Sequence, residues 1–133
     1  MLDETLRGKI VALFEGIEKY YGCRTHITQG LYSRYDDFDP NKTTWNLHEF
    51  NLVRSAYRKG GDRLMLEGHQ TYYEISAGKL VDFKNPSAHL YEFVEFYGAS
   101  VYRITRVKFD RDWQKAAPTE RIFAPFLQNP ARF

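Results

Sequence analysis

The hydrophobic period of this chain changes once, at Gly22. Before that glycine, Leu6, Ile10, Leu13, Phe14, Ile17 and Tyr21 recur at 3.6-residue spacing, which predicts an amphipathic helix over residues 3–21. Asp3 is placed to cap its start and Gly22 to end it. After Gly22 the period falls to two, and it stays there. Strands are predicted over 24–35, 44–58 (bulged near 49–51), 63–76, 79–84, 88–97 and 100–109. Turns are predicted at 36–43, 59–62 and 77–78, where Asp, Pro, Asn and Gly gather. One leading helix and a long run of strands can bury both patterns by laying the helix on one face of a curved antiparallel sheet. The expected fold class is therefore α+β: an amphipathic helix on an antiparallel meander of about five or six strands. Residues 1–113 read as one domain. Pro118, Pro125 and Pro130 punctuate an irregular tail over 114–133.

The composition removes several function classes. A chain of 133 residues has enough material for one core. Its single cysteine, Cys23, rules out a disulfide framework within the chain and a cysteine-based zinc knuckle. The N-terminal segment does not read as a signal peptide, and no apolar run approaches the roughly 18–20 residues of a membrane span, so a cytoplasmic protein with no membrane partner is expected. The formal net charge is only +2, which argues against nucleic acid as a partner. A local excess of +4 lies from Ser100 onward, but Glu92 and Glu95 interrupt the best aromatic and basic run, over 91–109. The aromatic share of 17% fits either a strand-rich core or an aromatic-lined cavity or interface.

Strand alternation sorts the candidate residues. On a strand over 24–35, His26, Thr28, Tyr32 and Arg34 share one face, and Ile27, Leu31 and Tyr35 share the other. His26 is thus on the polar side, either lining a pocket or facing water. Glu67 and His69, two apart, form either an acid–base pair or an exposed ion pair. The four histidines (His26, His48, His69 and His89) include no close pair, so no metal site is expected. Asp36, Asp37 and Asp39 beside Pro40 read as turn chemistry. Lys59-Gly60-Gly61-Asp62 lies between strands, where it makes a hairpin and not a phosphate cradle.

Three segments carry a resemblance: "LRGKIVALFEGIEKYYGCRTHITQG", "YRKGGDRLMLEG" and "LYEFVEFYGASVYRITRVKFDRDW". They resemble, in order, a helix running into a strand that opens with a histidine, a central hairpin and a closing hairpin. These belong to the polyketide-cyclase and dehydratase branch of the nuclear-transport-factor-two-like superfamily, a cone-shaped α+β fold. That family carries two further helices before the matched segment, so the resemblance implies a shortened cone. It also implies acid–base chemistry without a cofactor: dehydration, isomerisation or cyclisation. His26 would move the proton, and Tyr32 or His69 would polarise an oxygen. Thr28, Arg34, Trp45, Tyr73 and Phe93 would help bind a small apolar or aromatic molecule. The alternative is a non-catalytic homo-oligomer or assembly protein that uses its sheet face and C-terminal tail.

Overall fold

The expected helix forms, but it stops early. In the computed structural model, which describes residues 4–33, 38–58 and 60–110, α1 spans Glu4–Glu15. Gly16 follows, and its N–H bonds to the Leu13 carbonyl at 3.2 Å. A glycine at this point has little helical preference. The chain tightens there into a 3-10 turn, Ile17–Tyr20, which buries Ile17 and Tyr20. Gly22 then turns the chain at φ 88, a left-handed conformation that costs glycine little. Its N–H donates to the Leu52 carbonyl at 2.7 Å, which starts the sheet.

Among the described residues, eight strands follow: β1 Arg24–Ser33, β2 Thr44–Asn51, β3 Arg54–Arg58, β4 Arg63–Gly68, β5 Thr71–Ser76, β6 Leu80–Ser87, β7 Leu90–Phe96 and β8 Val101–Asp110. They make two antiparallel sheets, with orders β2-β1-β8-β7-β6 and β3-β4-β5. The α+β expectation holds at this level. The single meander of five or six strands is corrected to eight strands in two sheets. Two of the expected long strands are each two elements. Residues 44–58 break at Leu52–Val53, and residues 63–76 break at a hairpin over His69 and Gln70, where Gln70 takes φ 61.

The first break is where the chain leaves one sheet for the other. The Leu52 N–H donates to the Cys23 carbonyl at 3.0 Å, on the large-sheet side, and the next N–H, of Val53, donates to the Glu67 carbonyl of β4 at 2.8 Å. The return is the 3-10 turn Ala77–Lys79, whose Ala77 N–H is held by the Asp62 carbonyl at 2.6 Å. Strands that switch sheets at corners are a known device of packed sheets. The free edges of the small sheet are each capped by a side chain. The Ser55 N–H of β3 donates to the Tyr21 hydroxyl at 3.0 Å, and the Glu74 carbonyl of β5 accepts from Arg103 Nη2 at 3.0 Å. Such caps occupy backbone groups that an edge would otherwise offer to another strand.

The core lies between the two sheets and the helix. It joins Ile10, Ile17 and Tyr20 to Ile27, Phe50, Leu64, Leu66, Ile75, Phe93, Val107 and Phe109. The void between Leu13 and Phe14 on one side and Phe93, Val107 and Phe109 on the other measures about 10 Å³, no more than a single water needs. Among the described residues, no helix is long and apolar enough to cross a membrane.

Candidate functional site

The outward face of the large sheet carries most of the residues that the sequence singled out. Ile27 of β1 points into the core, so His26 and Thr28 point away from it. His26 is nevertheless only 4% exposed. Across the sheet it faces Glu49 of β2 and Lys108 of β8. Its Nδ1 lies 3.7 Å from Glu49 Oε2, and Glu49 also accepts from Arg24 Nε at 2.6 Å. A row of ion pairs continues beside it, with Arg106 Nε 2.9 Å from Glu92 Oε2. At 3.7 Å the Glu49 carboxylate is beyond hydrogen-bond distance of the ring. A base must reach the proton that it takes, and this ring meets protein on nearly every side.

Tyr32 and Trp45 lie farther along the same face. Tyr32 packs with Val94 and Ile104, meets the Phe38 ring edge-on at 4.8 Å and stacks on Tyr102 at 5.6 Å. Burial, with smaller contributions from Glu92, Tyr102 and Asp82, pushes its phenol up to about 12. Trp45 sits over Gly30, its register partner, and donates its indole N–H to the Pro40 carbonyl at 3.0 Å. Asp39 caps the adjoining turn by accepting the Asn41 N–H at 2.9 Å, which is the expected turn chemistry.

The remaining candidates are elsewhere. Phe93 is buried in the main core, on the opposite face. Tyr73 of β5 stacks on Phe50 and meets His48 edge-on, and burial pushes its phenol up to about 12. His69 is exposed in the β4–β5 hairpin, and Glu67 is held by Arg54 at 2.8 and 3.0 Å. Arg34 and residues 114–133 lie outside the described residues. The structure therefore brings His26, Thr28, Tyr32 and Trp45 to one face and leaves His69, Tyr73 and Phe93 apart from them. Among the described residues, no group of three or more His, Cys, Asp or Glu is arranged to hold a metal ion.

A larger concavity lies on the helix side. Between α1, the 3-10 turn and β3 runs an open groove of about 470 Å³. Val11, Phe14 and Ile17 form one wall, and Ala56 and Tyr57 form the other. Tyr21 closes one end by capping the β3 backbone at Ser55. The Tyr57 hydroxyl is fixed from behind: Arg7 Nη1 donates to it at 3.0 Å, and it donates to Asp62 Oδ1 at 3.2 Å. Both walls are thus tied to regular elements. No family model, curated protein or solved structure matches this chain. The function must be argued from these residues.

Sequence reasoning assigned Phe14, Ile17 and Tyr21 to the buried stripe of one long helix. The signal that separates them is Gly16. It turns the stripe into two segments, and the second presents Ile17 to the core and Tyr21 to the edge of β3. A second arrangement also escaped notice. Glu95 of β7 is fully buried. Its carboxylate accepts from Arg103 at 2.7 and 3.1 Å, from the Ser76 N–H at 2.9 Å and from the Tyr97 hydroxyl at 2.5 Å. This ties β5, β7 and β8 together.

Proposed function

We propose that this protein binds a small, largely apolar molecule in the groove between α1 and β3. The observation that carries the reading is the groove itself. Its volume of about 470 Å³ falls within the roughly 300–1,000 Å³ typical of small-molecule sites, and six of its nine lining residues are aromatic or aliphatic. The resemblance to cone-shaped cyclases and dehydratases supports the same ligand class, apolar or aromatic. The reading is of a binding protein. Acid–base work by His26 would require that ring within reach of the ligand, and it faces outward from β1 on the side away from the groove.

The test is to fill the groove. Val11 is half-buried on α1, on the stripe with Phe14, Glu15 and Glu18 that lines the groove. Val11→Trp should leave the fold intact by circular dichroism and weaken binding of apolar aromatic compounds at least about tenfold by calorimetry, the loss of one good buried contact. Unchanged affinity in that variant would remove the groove from consideration.

One observation favours the assembly reading as well. Leu31 and Val101 are both exposed on one face at the β7–β8 end of the large sheet, Leu31 at 45%. Exposed apolar patches mark interaction sites. A dimer in sedimentation that Val101→Lys dissolves would support docking at that end, and a monomer at all concentrations would not.

A further inference from the structure

We infer that the groove selects an organic cation: an alkylammonium head on an apolar or aromatic body. This rests on the groove being the binding site. Among the described residues, the groove is lined by two exposed carboxylates, Glu15 and Glu18, and by no Lys or Arg. Glu15 is the last residue of α1, and the last turn of that helix carries no basic residue. A helix C-terminus already holds partial negative charge, and most helices place cations there. Here two carboxylates are added to it. The potential at this end of the groove is negative from three sources, and α1 supplies nothing in its last turn to cancel it.

Among the described residues, three basic groups near the groove are engaged elsewhere, Arg54 by Glu67 at 2.8 and 3.0 Å. Arg7 is paired with Asp62 at 3.3 Å behind Tyr57. Lys19 holds its ammonium 5.1 Å from the centre of the Tyr20 ring, and that ring is stacked on Phe109 in the core. Three aromatic residues, Phe14, Tyr21 and Tyr57, also line it. Ring faces attract cations, and aromatic groups combined with carboxylates are the usual chemistry for recognising alkylammonium ions. An apolar wall with a negative end fits an amphipathic cation better than a neutral hydrocarbon, and it repels a carboxylate.

Three probes that share one body and differ in the head group test this: phenylpropylammonium, phenylpropanol and phenylpropionate. Each is titrated calorimetrically into the wild-type protein, the Glu15→Gln/Glu18→Gln double variant and Val11→Trp. On the wild type, the ammonium compound should bind about tenfold tighter than the alcohol, with the carboxylate weakest, as a surface charge pair a few ångströms apart requires. The double glutamine variant should erase the gap between ammonium and alcohol while leaving the alcohol's affinity unchanged. Val11→Trp should weaken all three. If the alcohol or the carboxylate matches the ammonium on the wild type while Val11→Trp still weakens all three, the cation inference is overturned and the groove stands. A preference for the ammonium that survives in the double variant overturns it too, since the charge is then read elsewhere. If no probe binds the wild type at millimolar concentration, or if Val11→Trp changes nothing, the groove reading fails and the inference goes with it.

Discussion

Glu95 and Arg103 show what a single pair of residues can hold. Glu95 is 0% exposed, and Arg103 reaches it bidentately while also capping Glu74. A buried pair gains little over a well-packed apolar pair, but removing one partner leaves an uncompensated charge, which costs about 3–5 kcal/mol. Arg103→Met should therefore destabilise the protein by about that amount in urea unfolding. Adding Glu95→Met should recover only part of the loss, because the Ser76 N–H and the Tyr97 hydroxyl then lose their acceptor. A single Arg103→Met variant as stable as wild type would contradict this account of the pair. The tyrosines add a pH dependence. Burial pushes Tyr32, Tyr73 and Tyr97 up to about 12 from 10.0, and the Glu95 hydrogen bond adds to the shift at Tyr97. Below pH 10 these phenols are neutral in both the folded and unfolded chain, so their contribution is fully present. As pH rises from 10 towards 12 the unfolded chain sheds protons that the folded chain keeps, and stability falls. Phenolate absorbance recorded alongside unfolding should show these three tyrosines among those that ionise late, with stability declining across that window. A flat stability profile there would contradict the burial of Tyr32 and Tyr73 and the Glu95 hydrogen bond at Tyr97. At this scale the sequence was partly legible. Alternation put His26, Thr28 and Tyr32 on one face correctly. It could not show that the face is covered, because that depends on Glu49 and Lys108 arriving opposite His26 through pairings distant in sequence.

At the scale of elements, two glycines mark where one strand admits a ring from another. A methyl group on Gly30 would lie 2.6 Å from Thr43 and 2.9 Å from the Trp45 ring. On Gly68 it would lie 2.5 Å from the Phe50 ring and 2.9 Å from the Asn51 carbonyl oxygen. Both substitutions overpack, at a cost of about 1–3 kcal/mol. Gly68→Ala should cost more than Gly30→Ala, because a side chain can swing aside and the Asn51 backbone is held in β2. The reverse order in chemical unfolding would mean that β2 is looser than its pairing suggests. The helix and most strands were readable from period alone. The β4–β5 hairpin was not, because His69-Gln70 carries no turn residue and the required positive φ falls on a glutamine. The end of α1 was misjudged for a related reason: the apolar spacing continues through the 3-10 turn, so Gly16 was the only local cue.

For the whole molecule, the α+β class was legible and the two-sheet arrangement was not. A period of two reports which side chains share a face of a strand. It says nothing about a strand that leaves one sheet for another, as the chain does at Leu52–Val53, where successive N–H groups serve different sheets. That corner separates β3 from β1 and makes room for the groove beside α1, so the candidate site follows from a feature that the pattern does not encode. The most direct measurement is amide chemical-shift mapping of the full chain with the phenylpropyl probes. The expected result is a perturbed set confined to residues 11–21 and 55–57, the two walls of the groove. Perturbations centred on 26–32 and 102–108, with the groove silent, would contradict the account and return attention to the outward face around His26.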